Sequence, residues 1–129
     1  MKKTLLLFTL LSTLALANQA VVDKLFAKYT KNGGSHFSAT KGKQMWEKTH
    51  MVKGEKMSCT KCHTANLTVK GEHYKTGKVI EPLAPSVNPK SFETVKHAKK
   101  WFKRNCKQVY KRKCTAQEKG DFLSYIVSQ

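Results

Sequence analysis

The sequence predicts an all-α fold, and three observations favour it. Apolar residues recur at helical spacing in four segments, a candidate N-cap precedes three of them, and no run alternates as a strand would. Residues 64–90, between the second and third predicted helices, contain two glycines and three prolines, which predict one long irregular loop. The length of 129 residues suits one small domain.

The first two predicted helices each have a distinct apolar side. The first spans 20–30, with Val22, Leu25 and Tyr29 on one face, and Asn32-Gly33-Gly34 stops it. The second begins at a capping Ser38 and continues to His50, and its apolar side, with Gly42 and Trp46, faces the core.

The last two predicted helices also begin at hydroxyl caps. Ser91 is expected to cap a helix that extends to Asn105, with Trp101 facing inward. Thr115 and Glu118 form a capping box, in which a hydroxyl and a carboxylate bind free amides at the start of the final helix.

The N-terminus predicts export. A Lys2-Lys3 start, an apolar run over residues 5–16 and the small residues of Ala15-Leu16-Ala17 are typical of a signal peptide, residues 1–17. The remaining domain is 18–129, and we expect a periplasmic protein that is not integral to the membrane. The alternative is an uncleaved anchor, although the run is shorter than the roughly 20 residues that span a bilayer.

The charge is strongly positive. Lysine and arginine total 25 against 8 acidic residues, for a net charge of +17. The lysines are scattered through every segment, without an arginine-rich arm, so we do not expect nucleic acid as a partner. A field that steers an acidic protein partner fits better, and a merely solubilising surface is the alternative.

The CTKCH segment, Cys59 to His63, predicts a covalently attached haem. A c-type haem needs two thiols spaced for its two vinyl groups and an imidazole held next to the iron, and C-x-x-C-H supplies all three. A zinc site would need Cys106 and Cys114 or His63 to complete it. A thioredoxin-like redox pair would need a βαβ setting, which this sequence lacks.

With the haem on Cys59 and Cys62, the other two cysteines are expected to pair. Free thiols tend to oxidise outside the cytoplasm, so Cys106 and Cys114 should form a disulfide between the third and last helices. A structural bond is the simpler interpretation, and a switchable redox pair is the alternative.

His63 is the predicted proximal ligand, and the opposite ligand is less obvious. Every methionine precedes Cys59, so a methionine from the downstream loop is impossible. Met51 or Met57 would have to cross around the haem edge. The downstream candidates are His73, His97, Asn105 and several lysines, each of which could equally be a solvated or helix-end residue. Composition therefore indicates a distal site that is unusual, weakly occupied or empty.

Four segments carry a family resemblance: SCTKCH, TGKVIEPLAPS, RNC and CTAQEKGDFLSYI, spread over residues 58–129. On them the chain resembles the sphaeroides haem protein (SHP) type of monohaem cytochromes c, also grouped as DUF1924. The resemblance implies a class I cytochrome c-like helical fold wrapped around one haem c. It implies that Cys59 and Cys62 hold the haem and that His63 and Asn105 are the axial ligands.

The same resemblance implies further roles. Cys106 and Cys114 match the family's disulfide, and the loop 82–86 borders the haem, where a carbonyl could accept from the His63 ring. Members receive electrons from a dihaem cytochrome c, often with a membrane cytochrome b, and bind oxygen or nitric oxide when reduced.

Two functions follow from these implications. The first is a ligand-binding electron acceptor that loses its asparagine ligand on reduction. The second is a plain six-coordinate shuttle with His97 or His73 on the iron. No distal acid–base pair is evident, so we assign no catalytic residue and do not expect an enzyme.

Overall fold

The structure is a computed structural model that describes the backbone of residues 5–129 and the side chains of residues 18–129. The predicted signal peptide, 1–17, therefore lies outside the residues described with their side chains, and its cleavage stays a prediction. The helices are α1 (Leu5–Lys31), α2 (Ala39–Glu47), α3 (Thr60–His63), α4 (Val95–Tyr110) and α5 (Ala116–Val127). The strands are β1 (His50–Val52), β2 (Glu55–Met57), β3 (Gly71–Glu72) and β4 (Val79–Ile80). The predicted all-α class is confirmed, because the helices carry the core.

The core is organised by the crossing of α2 and α5. At Gly42 the backbones approach so closely that an added Cβ would overlap the Asp121 carbonyl. Helix α1 packs against α5 and α4 and buries Val22, Leu25 and Tyr29, as the apolar spacing predicts. Burial of such apolar side chains is the main force that holds these helices together.

The segment after α2 departs from the prediction. Helix α2 ends at Glu47 because Lys48 adopts an extended conformation, and β1 pairs with β2 in an antiparallel hairpin. Lys53 and Gly54 form the turn with φ of 52° and 80°, the two positive values of a type I′ turn. A second short pair, β3 with β4, lies inside the predicted irregular loop. The prediction of no strands was wrong for these two small pairs, whose strands are too short to show alternation.

Helix α4 is displaced from its predicted position. It begins after Thr94, whose hydroxyl accepts from the His97 amide at 3.0 Å, and not after Ser91. It continues beyond Asn105 to Tyr110 and ends where Lys111 takes a left-handed conformation. Trp101 was wrongly predicted to face inward, since it is 43% exposed.

The start of α5 agrees with the prediction. The Thr115 hydroxyl accepts from the Glu118 amide at 3.1 Å, and the Glu118 carboxylate accepts from the Thr115 amide at 2.8 Å. Arg112 donates two hydrogen bonds to the same carboxylate and so ties the preceding turn to the helix start.

Candidate haem site

The CTKCH segment forms one turn of helix. The His63 amide donates to the Cys59 carbonyl at 3.1 Å, and the Thr64 amide donates to the Thr60 carbonyl at 3.0 Å. Thr64 then ends the turn with a positive φ of 63°. Residues three and four apart share a helix face, so Cys59 lies on the same side as both Cys62 and His63.

Cys59 and Cys62 are unpaired thiols in this structure. Burial, together with the nearby Cys62, raises the pKa of Cys59 to about 12. Catalytic redox cysteines have lowered pKa values, so this environment does not favour a thioredoxin-like pair. A zinc site completed by Cys106 and Cys114 is also disfavoured, because those two residues are bonded to each other with Cα atoms 5.7 Å apart.

His63 is held next to an aromatic residue that the sequence alone did not connect with the site. The centroids of the Trp46 and His63 rings are 5.5 Å apart, and the Trp46 indole donates to the Thr64 carbonyl at 3.2 Å. Burial lowers the pKa of His63 to about 4, which keeps the imidazole neutral and able to donate a lone pair to a metal. Trp46, which the sequence assigns to the core side of its helix, therefore also supports the haem motif.

A glycine keeps the motif in its position. At Gly71 an added Cβ would overlap the Cys62 carbonyl oxygen and press on the His63 Cα atom. Strand β3 therefore lies directly against the backbone of α3. No pattern in the sequence around Gly71 indicated this contact.

Asn105, the predicted distal ligand, lies inside α4 and is half-buried. It does not occupy the left-handed helix end that asparagine often takes, a position held by Lys111. Burial raises the pKa of Tyr110, and the Cys59 thiol and the Glu118 carboxylate add to the increase. The Tyr110 ring contacts His50, which pairs with Met57 in the hairpin that leads into the motif. Among the described residues, no hydrogen bond connects the Asn105 side chain to another group or to the motif.

The other distal candidates have different surroundings. Met51 is 66% exposed on β1, and Met57 is 2% exposed in β2. The His73 Nδ1 atom accepts from the amides of Lys75 and Thr76, both at 3.3 Å. The His97 Nε2 atom accepts from the Trp101 indole at 2.6 Å.

The disulfide and the haem-bordering loop can be compared directly with the prediction. Cys106 and Cys114 are bonded and connect α4 to the start of α5. In the loop, the Pro82 carbonyl accepts from the Asn88 side chain at 2.7 Å, and the Ala84 carbonyl accepts from two amides. Within residues 18–129 no hydrogen bond joins the His63 ring to this loop, so the expected carbonyl partner stays a prediction.

His50 is a residue that the sequence analysis did not consider. Its ring centroid is 4.4 Å from that of Tyr110, and its Nε2 atom is buried without a partner in the described part of the chain. A buried polar atom without a partner costs free energy, and a polar group bound beside it would remove that cost. The two thiols, the neutral imidazole and this unpartnered nitrogen together fit a covalently attached haem.

The helical fold and the C-x-x-C-H turn define a monohaem c-type cytochrome. The chain belongs to the DUF1924 family, a domain of unknown function whose sequence profile matches residues 32–126. It is 37% identical over 130 residues to the cytochrome c-type protein SHP of Cereibacter sphaeroides, with 100% of both chains covered. A structure of oxidised SHP, described as an oxygen-binding cytochrome c, has a TM-score of 0.77 at 38% identity, covering 84% of this chain and 96% of that one.

Cytochrome c'' of Methylophilus methylotrophus is a second relative. It is 32% identical over 127 residues, covering 93% of this chain and 88% of the relative. Its solution structure, described as giving insight into haem-ligand detachment, has a TM-score of 0.74 at 31% identity and covers 84% of this chain and 93% of that one. The predicted family and the predicted cofactor, one covalently attached haem c, are confirmed.

Proposed function

We propose that the chain is a periplasmic electron acceptor that offers its reduced iron to a small diatomic ligand. Cys59 and Cys62 attach the haem, His63 ligates the iron, and Asn105 is a weak second ligand of the ferric state. The haem supplies an iron that exchanges one electron and can bind a diatomic ligand at an open position.

The observation that carries this proposal is the contrast between Asn105 and the two histidines. Each histidine uses a ring nitrogen as an acceptor, His73 in a turn and His97 on the exposed side of α4. The Asn105 side chain makes no hydrogen bond within the part of the chain that the structure describes. It lies on α4, whose last residue, Tyr110, contacts His50 in the hairpin that leads into the motif.

The chemistry of an amide oxygen supports release on reduction. Ferric iron is a harder Lewis acid than ferrous iron, and hard oxygen donors hold the harder metal more strongly. Asn105 would therefore withdraw when the iron gains an electron. The Cys106–Cys114 disulfide and a 2.8 Å hydrogen bond from Tyr110 to the Met45 carbonyl hold α4 in place. The withdrawal would therefore be a movement of the Asn105 side chain and not of the helix.

The two relatives support the same proposal. One is described as binding oxygen, and the structure of the other as bearing on haem-ligand detachment. We propose both properties for this chain, with oxygen or nitric oxide as the ligand. Neither property requires an acid–base pair, and we propose no catalytic residue.

The proposed electron donor is an acidic redox protein. The family resemblance favours a dihaem cytochrome c together with a membrane cytochrome b. The net charge of +17 becomes +15 once residues 1–17, with their two lysines, are removed, and it would attract such a partner. Export through residues 1–17 would bring this chain to the periplasm. Among the residues that the structure describes, no helix has the length and apolarity needed to cross a bilayer.

Replacement of Asn105 tests the ligand assignment. In the haem-loaded protein, Asn105→Ala should convert the ferric absorption spectrum to a water-bound or five-coordinate form, because the amide ligand is gone. Lys107→Ala is the control and should leave the ferric spectrum unchanged, because Lys107 is exposed and lies two residues further along α4 on a different face. An unaltered spectrum in Asn105→Ala would show that another group holds the iron.

A carbon monoxide titration separates the proposal from the six-coordinate shuttle. The dithionite-reduced protein should be high-spin and should bind carbon monoxide. A reduced protein that stays low-spin and ignores the gas would instead favour a permanent histidine ligand, to be identified with His97→Ala and His73→Ala.

A further inference from the structure

Five lysines surround a cavity between α1, α4 and the start of α5. We call this space the lysine cavity. Its volume is about 240 Å³, several times what one water needs. Its lining contains no carboxylate and consists of Lys28, Tyr29, Lys99, Phe102, Lys103, Lys113, Cys114 and Lys119.

The lysines of this cavity lack compensating negative charge. Within residues 18–129, none of the five takes part in an ion pair within 4.0 Å. They come from separate parts of the fold: Lys28 from α1, Lys99 and Lys103 from α4, Lys113 from the segment just before Cys114, and Lys119 from α5. Like charges gathered around a concave surface repel each other and focus a positive potential into it, so the arrangement favours an anion.

A second, independent observation points to a ligand. Tyr29 lines the cavity and is 3% exposed, and its hydroxyl has no hydrogen-bond partner in the described part of the chain. Its ring is fixed by an edge contact with Phe102, with centroids 6.2 Å apart. Burial raises the pKa of Tyr29, so the hydroxyl keeps its proton and can donate. A buried donor without an acceptor is costly, and an acceptor atom from a bound ligand would satisfy it.

The lysine cavity is separate from the proposed haem site. Helix α4 presents Lys99, Phe102 and Lys103 to the cavity, at the helical spacing i, i+3 and i+4. Neither Asn105 nor any residue of the CTKCH motif lines the cavity. The Cys106–Cys114 disulfide holds Lys113 and the start of α5 against this side of α4.

We propose that the lysine cavity binds a small multivalent oxyanion of the phosphate class, held by the lysine ammonium groups and by a hydrogen bond from the Tyr29 hydroxyl. Lysine is a common phosphate ligand because it presents a compact point charge. This site is additional to the haem function and does not depend on it.

Calorimetric titration of the haem-loaded ferric protein with pyrophosphate tests the proposal. We expect saturable binding at one site at a fixed ionic strength of about 0.15 M, where interactions between exposed charges are largely screened. The double variant Lys99→Gln/Lys103→Gln should weaken pyrophosphate binding by about tenfold or more, since hydrogen bonds to charged groups are the strong ones.

A matched control comes from the same helix. Lys96 and Lys100 are exposed on α4, do not line the cavity, and carry the same total charge. Lys96→Gln/Lys100→Gln should bind pyrophosphate within about twofold of the parent, because screened distant charges contribute little. Equal weakening in both double variants, or no saturable binding in the parent, would overturn the proposal. The haem absorption spectrum verifies that each variant is folded.

Tyr29→Phe isolates the hydroxyl. It keeps the ring contact with Phe102 and removes the buried donor, so the melting temperature without pyrophosphate should stay equal or rise. The affinity for pyrophosphate should fall by about tenfold, and the ligand-induced rise in melting temperature should shrink accordingly. Unchanged affinity in Tyr29→Phe would remove the hydroxyl from the proposed site.

A phosphoryl group could come from a free ion or from a lipid headgroup, and vesicles separate the two sources. Binding to phosphatidylglycerol vesicles, measured by cosedimentation, should be equally weakened in the two double variants if the ligand is a soluble ion. Selective loss of vesicle binding in Lys99→Gln/Lys103→Gln would identify the headgroup as the source.

Discussion

Gly71 illustrates how one residue controls the haem motif from a distance in sequence. It has no catalytic or ligating group, yet its missing side chain lets β3 lie against the Cys62 carbonyl and the His63 backbone. Asn105 shows the opposite case. Its residue type alone favoured a helix-end position, but it lies within α4, and Lys111 takes the left-handed position instead.

Gly71→Ala should disturb haem attachment. The added methyl group overlaps the backbone of α3, which cannot move aside as a flexible side chain could, and overpacking of this kind costs about 1–3 kcal/mol. We expect a lower fraction of covalently attached haem, measured as haem absorbance per protein after denaturation, and a lower urea midpoint.

Gly54→Ala is the control for that substitution. An added Cβ there meets no atom within 4 Å, although the positive φ of 80° adds turn strain of about 1 kcal/mol. Haem attachment should be normal in Gly54→Ala. If both variants attach haem as well as the parent does, the contact of β3 with α3 is not needed for haem attachment.

Among the elements, the link between α4 and α5 matters most for the proposed distal ligand. The Cys106–Cys114 disulfide follows Asn105 directly, and Arg112 bonds the Glu118 carboxylate at the start of α5. The hydrogen bond from Arg112, with those from Thr115, lowers the pKa of Glu118 despite partial burial. A covalent and an ionic connection therefore hold the same turn.

Removal of the disulfide should loosen that turn. In the loop-entropy model a closed loop of this size stabilises the native state by about 2–3 kcal/mol, and Cys106→Ser/Cys114→Ser should lower the free energy of unfolding by that amount in urea titrations. If α4 holds Asn105 on the iron, the ferric spectrum of this variant should also become mixed. A fully preserved ferric spectrum would show that the ligand does not need this anchor.

The ion pair should contribute in a defined pH range. A lowered carboxyl pKa adds stability above the ordinary value of 4.5, and that stability is lost as the pH falls through the folded-state pKa. Because Arg112 is largely exposed, we expect Arg112→Ala to lower the free energy of unfolding by only about 0.5–1 kcal/mol at pH 7.

The difference between the parent and Arg112→Ala should then narrow in acid below pH 4.5. Lys43→Ala, which removes an exposed 4.0 Å pair with Glu47, is the control and should show a smaller, nearly pH-independent difference. A constant difference for Arg112→Ala down to pH 2 would contradict the role of Glu118 ionisation.

At the scale of the whole molecule, the excess of positive charge is the dominant property. Helix α4 alone contains six lysine or arginine residues and no acid, and it carries the proposed distal ligand. Charge on this element would bring an acidic redox partner close to the haem, and such steering weakens as salt shortens the range of the field.

Electron transfer from an acidic redox protein should accordingly slow as salt is added. Stopped-flow reduction rates should fall by at least tenfold between about 10 and 200 mM ionic strength, as in other steered associations. An uncharged small-molecule reductant is the control and should show little dependence. A flat dependence with the protein donor would remove the steering role and leave the charge as a solubilising surface.

The sequence by itself determined the features that depend on neighbouring residues. The C-x-x-C-H motif, the Thr115–Glu118 capping box and the absence of a downstream methionine can all be read over a few positions, because local hydrogen bonds and fixed spacing create them. Apolar spacing likewise identified the buried face of α1.

The folded chain decided what depends on contacts between distant segments. Trp46 reaches His63, Gly71 lies on Cys62, and Lys28 shares a cavity with Lys119, and none of these pairings leaves a local pattern. The exposed position of Trp101 also depends on contacts between distant segments. These contacts decide which face of α4 packs on the core, and that face differs from the one that the apolar residues of the helix predict. Packing is a property of the whole set of elements, so it becomes visible only when they are assembled.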